Sequence, residues 1–482
     1  MAATPTTKWQ VGGYRFLVRR MEHALVRRDV RMLHDPMRSQ SRALSVGMVV
    51  ACLGLAGCAA LALLRPQDKI GDATIVVGKD SGAMLVRVDE TFHPVLNLAS
   101  ARLIVGSPES PTIVKESELD GRSRGSLVGI PGAPSALPHD EAGAGQPWTV
   151  CDSHDERGVS STAVIAGQPD FDGRTAPIAA SDAFLWAASD GTYLVYGGSR
   201  ARIDLTDRAV VRALGLDGVQ PSSVSVGLVN SVPVIQPIVP PIIARAGELP
   251  AYPMASKPIG SVVKVSGVDV HYYVVLEGGI QAISEATAQL ITFADSQGSP
   301  EIETVNPDVL HAAPTVNQLD VDTFPAVAPS IIDTRLAPVG CLTWEPSEPT
   351  EGGPSARLVL SAGTSLPLDG AARPVRLAQS DGSGPAVDDV YLAPGSGGFV
   401  RTTGIDTGSA RRDASFFVSD TGVRFGVPDE ESAKALGLGT PAPAPSPIVE
   451  LLGTGPSLSR SAALTAHDGI EPDPDAAALG GR

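Results

Sequence analysis

Along the chain the apolar positions change rhythm twice, and each change predicts a different kind of element. From Tyr14 to Leu33 they fall at Leu17, Met21, Ala24, Leu25 and Met32, with most arginines opposite, which is the spacing of an amphipathic helix. Arg28 interrupts that stripe and Asp35-Pro36 stops it. Ala43 to Leu64, ALSVGMVVACLGLAGCAALALL, then runs for 22 residues without a charge. As a helix rising about 1.5 Å per residue it covers about 33 Å, enough for a hydrocarbon core of about 30 Å. Beyond Leu64 short apolar runs alternate with Gly, Asp, Glu and Pro, which predicts many short strands and tight turns.

In this region after Leu64 a single pattern recurs four times: an apolar strand, a tight turn, a second strand and an Ala/Leu-rich helical piece. The first copy runs from Met84-Leu85-Val86 through Asp89-Glu90 to Ala99–Ile104, and the second from Tyr193-Leu194-Val195 through Gly197-Gly198 and Ile203 to Ala209–Leu216. The third runs from Tyr272–Val275 through Gly278-Gly279 and Ile283 to Ala286–Ile291. The fourth joins Phe416-Phe417-Val418, Asp420-Thr421-Gly422 and Val427 to Ser432–Leu438. Units this small cannot each bury a core, so they must lean on neighbours or on a shared centre. Leu85 to Cys151 is 66 residues and Val274 to Cys341 is 67, and each cysteine has a tryptophan three residues away, Trp148 and Trp344. That order suggests an internal duplication, against the alternative of four unrelated hairpins.

Ser231 to Pro250 and the PAPAPSP stretch after Thr440 read as proline-rich straps, unfit for a central strand. The chain divides into a basic segment (1–42), a membrane helix (43–64), repeat 1 (65–110), the first half of a central domain (111–185) and repeat 2 (186–225). A linker (226–258), repeat 3 (259–310), the second half of the centre (311–410), repeat 4 (411–440) and a strap with an acidic tail (441–482) complete it. The fold class is α+β: a single N-terminal transmembrane helix, then an elongated, duplicated body of four β-hairpin/helix repeats around a β-rich centre.

Charge orients this arrangement. Residues 1–42 carry nine Lys or Arg against three acids, and the remainder carries 28 against 50. The positive-inside rule puts the N-terminus in the cytoplasm and the acidic body outside. Such a surface suits no nucleic acid. Leu55-Ala56-Gly57-Cys58 is spelled like a lipoprotein cleavage site, but 42 residues precede the apolar run and Ala59–Leu64 continue it, so a retained anchor is expected. With Cys52 and Cys58 inside the span, Cys151 and Cys341 form the extracytoplasmic pair, and a Cys151–Cys341 disulfide is expected. The alternative, two free or catalytic thiols, lacks a Cys-x-x-Cys motif or a basic cluster. The basic helix at the start suits either anionic headgroups or a cytoplasmic partner.

Seven segments carry a further signal: Tyr14-Arg-Phe-Leu, Arg31-Met-Leu-His-Asp-Pro36, Gln40-Ser-Arg-Ala43, His93 to Ile104, Leu127 to Pro134, Trp148 to Asp152 and Gly422-Val-Arg-Phe-Gly426. Over nearly the full chain the sequence resembles the EccB family, membrane components of the mycobacterial type VII (ESX) secretion machinery. The resemblance implies a single-pass inner-membrane protein with a periplasmic body, assembled with EccC, EccD, EccE and the mycosin protease. It also implies repeats similar in fold to a cell-wall-binding module of phage lysins. The expected role is a structural component that anchors a periplasmic scaffold over a translocation channel and associates with its own copies. An ATPase, a label some members carry, and a peptidoglycan-binding module are the alternatives.

Catalytic signatures are weak. Gly71 to Asp80 has six residues between its glycines and an Asp where a P-loop needs a hydroxyl. Gly121-Arg-Ser-Arg-Gly125 spells a nucleophile elbow but follows the charged stretch Lys115–Asp120 rather than a buried strand. His139, Asp140, Asp152, His154 and Asp155 form the one metal-like cluster, in loop-like surroundings. No His-Glu-x-x-His motif occurs. The sequence therefore selects no catalytic residue, cofactor or metal ligand, and an enzyme is not the favoured reading.

Overall fold

The computed structural model describes residues 7–31, 36–64, 69–137, 145–155, 160–254, 256–299, 301–347, 356–382, 386–406 and 408–470. It divides into two compact units, residues 1–71 and 72–482. In the first unit a helix spans Lys8–Arg27, with the Gln10 side chain accepting the Thr7 N–H at its start. It ends earlier than the apolar spacing predicts, because Arg28, the residue that breaks the stripe, takes a left-handed conformation (φ 56°) and closes the last turn on Ala24. Pro36, the expected stop, instead opens a second helix, Pro36–Leu64, where its missing N–H costs nothing. Ser39–Leu61 has a mean hydropathy of 2.2, long and apolar enough to cross a membrane, and is uncovered by protein. Tyr14, Leu17, Met21 and Leu25 of the first helix are likewise exposed within the unit.

In the second unit the four hairpin-plus-helix patterns share one topology. Each is a three-strand antiparallel meander, then a helix, then a strand parallel to the first meander strand and a further pairing parallel to the third. Repeat 1 uses Ile75–Gly78, Met84–Val88 and Thr91–Pro94, the helix Leu98–Val105, and the flanking strands Thr112–Val114 and Ser123–Arg124. Repeat 2 uses Asp182–Ala188, Gly191–Tyr196 and Ser199–Ile203, the helix Arg208–Ala213, then Ser222–Ser223 and Val234–Ile235. Repeat 3 uses Val262–Ser266, Val270–Leu276 and Gly279–Ile283, the helix Glu285–Ala294 and Glu303–Thr304, with a single bridge from Ile280 to Thr315 as its last pairing. Repeat 4 uses Gly398–Thr403, Ser415–Val418 and Val423–Gly426, the helix Glu430–Leu436, then Ala442–Pro445 and Gly453–Thr454.

The helices start where a side chain can take an orphan amide. Asn97, Asp207, Ser284 and Asp429 accept N–H bonds from Ser100, Ala209, Thr287 and Ser432 at 2.7–3.1 Å. In repeats 1 and 4 the helix ends on Gly106 and Gly437, both at φ 80°, a conformation that costs glycine little. The prolines of Ala442–Pro445 sit on the edge of their sheet, the position that tolerates a residue without an N–H. The Ser231–Pro250 strap contributes the two-residue edge strand Val234–Ile235 and the buried apolar anchors Val232 and Ile238.

No repeat closes its core alone. Leu103 and Ile104 of repeat 1 share a buried cluster with Phe417, Phe425 and Leu436 of repeat 4, so the first repeat in sequence packs on the last. Leu290 of repeat 3 enters the cluster of repeat 2, where the Arg212 guanidinium lies 4.3 Å from the Phe293 ring centroid.

Between these pairs lies a seven-stranded sheet: Val375–Arg376, Asp389–Leu392, Ser160–Ala166, Trp148–His154, Val339–Pro346, Ala356–Gly363 and Thr175–Pro177, in that order. Its halves exchange strands. Thr175–Pro177, from the first half, lies beside Ala356–Gly363 of the second, and Asp389–Leu392 lies beside Ser160–Ala166 of the first. The middle two strands meet like with like: Trp148 opposite Trp344, Thr149 opposite Thr343, Cys151 opposite Cys341. Alternation sends Trp148, Val150, Leu342 and Trp344 into the main core, while Cys151 and Cys341 face a smaller cluster with Ile165 and Leu368.

The cysteines are joined, with Cα atoms 4.1 Å apart, near the spacing of a narrow antiparallel pair, and 190 residues apart in sequence. Closing so long a loop corresponds to about 5 kcal/mol by chain entropy. Replacing both cysteines by alanine in the full chain is expected to lower unfolding free energy by about 3–5 kcal/mol while leaving the sheet intact. Denaturant titration followed by circular dichroism measures this, and an unchanged midpoint would contradict a stabilising cross-link.

Candidate functional site

The most constrained chemistry lies beside the disulfide. Asp152 is fully buried next to Cys151 and accepts three bonds: the Ser225 N–H (2.5 Å), the Ser225 hydroxyl (2.9 Å) and the Thr162 hydroxyl (2.9 Å). Ser225 also caps the helix Val226–Asn230 through the Leu228 N–H, so one carboxyl ties the central strand to the helix that follows repeat 2. Thr162 is gripped a second time, its N–H donating to the buried Asp388 at 2.9 Å. Burial pushes the Asp152 carboxyl up from its ordinary value, partly offset by the Ser225 and Thr162 bonds and by the charge of His154. This is the arrangement of a structural tie, with its acceptors spent on neighbours.

Among the described residues the metal-like cluster does not assemble. His139 and Asp140 lie outside the described residues. Asp152 is committed as above, and both His154 ring nitrogens face main-chain carbonyls, Pro338 O at 3.2 Å and Ser223 O at 2.5 Å. No group of three or more His, Cys, Asp or Glu poised for a metal ion occurs among the described residues. The elbow spelling fails as well. Ser123 lies in the exposed two-residue strand Ser123–Arg124, after a left-handed Gly121 (φ 76°), without the strand–turn–helix context the motif requires.

The end of the Gly71–Asp80 stretch is a strand turn closed by a side chain from elsewhere in repeat 1. Its turn amides are taken: the Glu116 carboxylate accepts the N–H of Asp80 (3.1 Å) and of Ser81 (2.9 Å). The Ser81 amide, with further bonds from Ser81 and Asp80, draws the Glu116 carboxyl down to about 2. The chain's own carboxylate therefore occupies the two turn amides at and just after the end of this stretch.

One feature escapes motif reading. A cleft of about 1370 Å³ is lined by both repeat 1 and repeat 4, with Arg102, Arg401, Arg412, Lys434 and Asp429 among its walls. Arg102 is 5% exposed and bridges the two repeats, donating from Nε to Glu109 O (3.1 Å) and from Nη1 to Leu436 O (2.9 Å). Burial lowers its pKa from the ordinary guanidinium value. The one sequence signal was Arg411-Arg412, the only adjacent arginine pair after the apolar run.

Asp152 gives a pH prediction. An unfolded Asp loses its proton near pH 4, whereas the folded carboxyl holds it to higher pH. Its contribution to stability is therefore complete below the unfolded value and is lost as pH rises through the folded one. Asp152→Asn, which cannot titrate, is expected to be about 1–3 kcal/mol less stable than the parent at pH 4, with the gap narrowing toward pH 7. Melting curves across that range check this, and a gap independent of pH would contradict the raised carboxyl.

Comparison with known proteins brings these features under one heading. Residues 3–472 match the family described as "Type VII secretion system ESX-1, transport TM domain B". The chain is 39% identical to a Mycolicibacterium smegmatis protein named "ESX-3 secretion system ATPase EccB3", over 98% of this chain and 93% of that one. It is 36% identical to the Mycobacterium tuberculosis "ESX-5 secretion system ATPase EccB5", over 97% and 95%. Among solved structures it is similar to a chain of an intact ESX-5 inner membrane complex, with TM-score 0.76, 34% identity and 99% of both chains covered. It is also similar to the EccB3 dimer from the ESX-3 core complex, with TM-score 0.72, 35% identity, 82% of this chain and all of that one. With a match from end to end in sequence and in fold, the chain belongs to the EccB family of type VII secretion components.

Proposed function

We propose that the chain is a structural subunit of a type VII secretion complex, holding a folded body at the membrane through its single apolar helix. The observation that carries this is the full-length likeness to a chain of an intact ESX-5 inner membrane complex. The likeness to an EccB3 dimer supports association between copies. In this reading EccC, EccD, EccE and the mycosin protease are the partners, the basic foot lies in the cytoplasm and the acidic body in the periplasm. The excess of nine basic over three acidic residues before the span supports that orientation, as does a disulfide, which an oxidising compartment maintains. The division into ten segments belongs to the same proposal, with repeat 2 opening at Asp182 rather than 186 and repeat 4 at Gly398 rather than 411.

Hydrolysis of ATP has less support. The name of several relatives includes the word ATPase, yet the nearest phosphate-loop spelling in this chain has its amides capped by Glu116.

The chain, tagged and extracted in mild detergent, is expected to bring EccC and EccD with it, as read by mass spectrometry; recovery of the chain alone would remove the assembly role. Orientation has its own measurement. In whole cells a membrane-impermeant maleimide should label Lys69→Cys and spare Lys8→Cys, and the reverse pattern would invert the topology.

A further inference from the structure

The cleft lined by repeats 1 and 4 does not belong to the anchoring role, and its chemistry is unlike the surface around it. The body is acidic, with 28 basic residues against 50 acidic ones after residue 42, and several of its arginines, such as Arg174, Arg245 and Arg335, are held in ion pairs. Four cations, Arg102, Arg401, Arg412 and Lys434, line the cleft, and none has a carboxylate partner among the described residues. Arg401 donates to the Ser415 hydroxyl at 3.4 Å, its one side-chain bond among the described residues. Arg412 reaches the carbonyls of Ser409 and Arg411 and the Thr403 hydroxyl. Lys434 is exposed, and its ammonium makes no bond among the described residues.

Arg102 is the second observation. It is nine-tenths buried and lines the cleft, Nε and Nη1 are spent on carbonyls, and Nη2 has no partner among the described residues. Two acids also line the space. Asp429 is occupied by the Ser432 N–H that it caps, and with Glu430 it leaves two positive charges in excess. A buried guanidinium without a carboxylate is costly unless something supplies its counter-charge.

We propose that this cleft is a binding site for a phosphate-bearing ligand. Three guanidinium groups and an ammonium lining one cleft from two repeats suit a group with several oxygens and more than one negative charge, whereas a planar carboxylate is saturated by one arginine fork. At about 1370 Å³ the cleft has room for a diphosphate or a longer phosphate chain, and the excess of positive charge along it favours such a group over a lone ion. Addition of a peptide strand is not the mode of recognition, because Pro441 and Pro443 line this space and prolines withhold the N–H groups a new strand would need. Because Arg102 bonds both repeats, an occupied cleft would also fasten the first repeat to the last.

The test is calorimetric titration of the full-length chain in detergent, at about 50 mM salt, with inorganic pyrophosphate as probe. Saturable binding is expected, weakened about tenfold or more by Arg401→Ala with Arg412→Ala, which are exposed substitutions, and unchanged by Arg373→Ala elsewhere on the body. Magnesium-free ADP and a glycerophosphodiester oligomer are the second and third probes. Binding of pyrophosphate and ADP alone assigns the site to free phosphates, and binding of the oligomer as well assigns it to phosphates linked in a chain. No saturable binding by any probe, equal loss in the Arg373→Ala control, or equally good displacement of pyrophosphate by poly-glutamate would each overturn the proposal. Thermal melting of the double variant guards against misfolding: a lowered melting point with binding retained also overturns it.

Discussion

Two strands from opposite halves of the chain, Trp148–His154 and Val339–Pro346, lie side by side, and the rest of the body is arranged around that contact. Their facing side chains match in kind, indole on indole and hydroxyl on hydroxyl, with the Thr149 and Thr343 oxygens 2.9 Å apart in the interior. A shift of one residue would turn Trp148 and Trp344 away from the main core and carry the cysteines out of reach of each other. Register here is therefore fixed three times: by packing, by hydrogen bond and by covalent bond. Asp152 extends the fixed point outward, since the carboxyl next to the disulfide also holds Thr162 and the cap of a helix.

From this middle the repeats gain what each lacks. A three-strand meander with one short helix has too little apolar surface to overcome the entropy of ordering its own chain. Pairing solves this in two ways, with repeat 2 sharing its core with repeat 3 and repeat 1 with repeat 4. The exchanged strands of the centre reinforce the same logic, because neither half can complete its sheet without a strand from the other. The duplicated pattern in the sequence is thus not two domains in tandem. It is one interlocked body, whose halves are distinguishable in sequence and inseparable in structure.

What could be read from the chain was what local chemistry encodes. The apolar run, the Gly- and Asp-rich turns of each hairpin, the Ala/Leu-rich helical pieces and the cysteine pair all announce themselves within a few residues or by elimination. Each repeat's opening strand did not. Ile75–Gly78 is a short, largely buried apolar run with no alternation to separate it from loop, and Gly398–Thr403 mixes two apolar residues with Arg401 and two threonines, so neither carries a strand rhythm. Thr175–Pro177 is three residues ending in proline, and only its distant neighbour makes it a strand. The same holds for the cleft: Arg102 and Lys434 carry no shared signature, and their proximity is a product of the pairing of repeats 1 and 4. Arg28 is a smaller case, where a residue noted as out of place on a stripe marks the end of the helix.

The bond from Arg102 to Leu436 joins residues 334 apart in sequence, and His467 docks still later on Gly129 of the first half. At typical rates of synthesis the first repeat exists for tens of seconds before its partner is made. For that interval Leu103 and Ile104 have no cover, and the nascent body is a half-built interface open to wrong company. Completion of this body thus waits on the part of the chain that is made late, since the cover for repeat 1 comes from repeat 4.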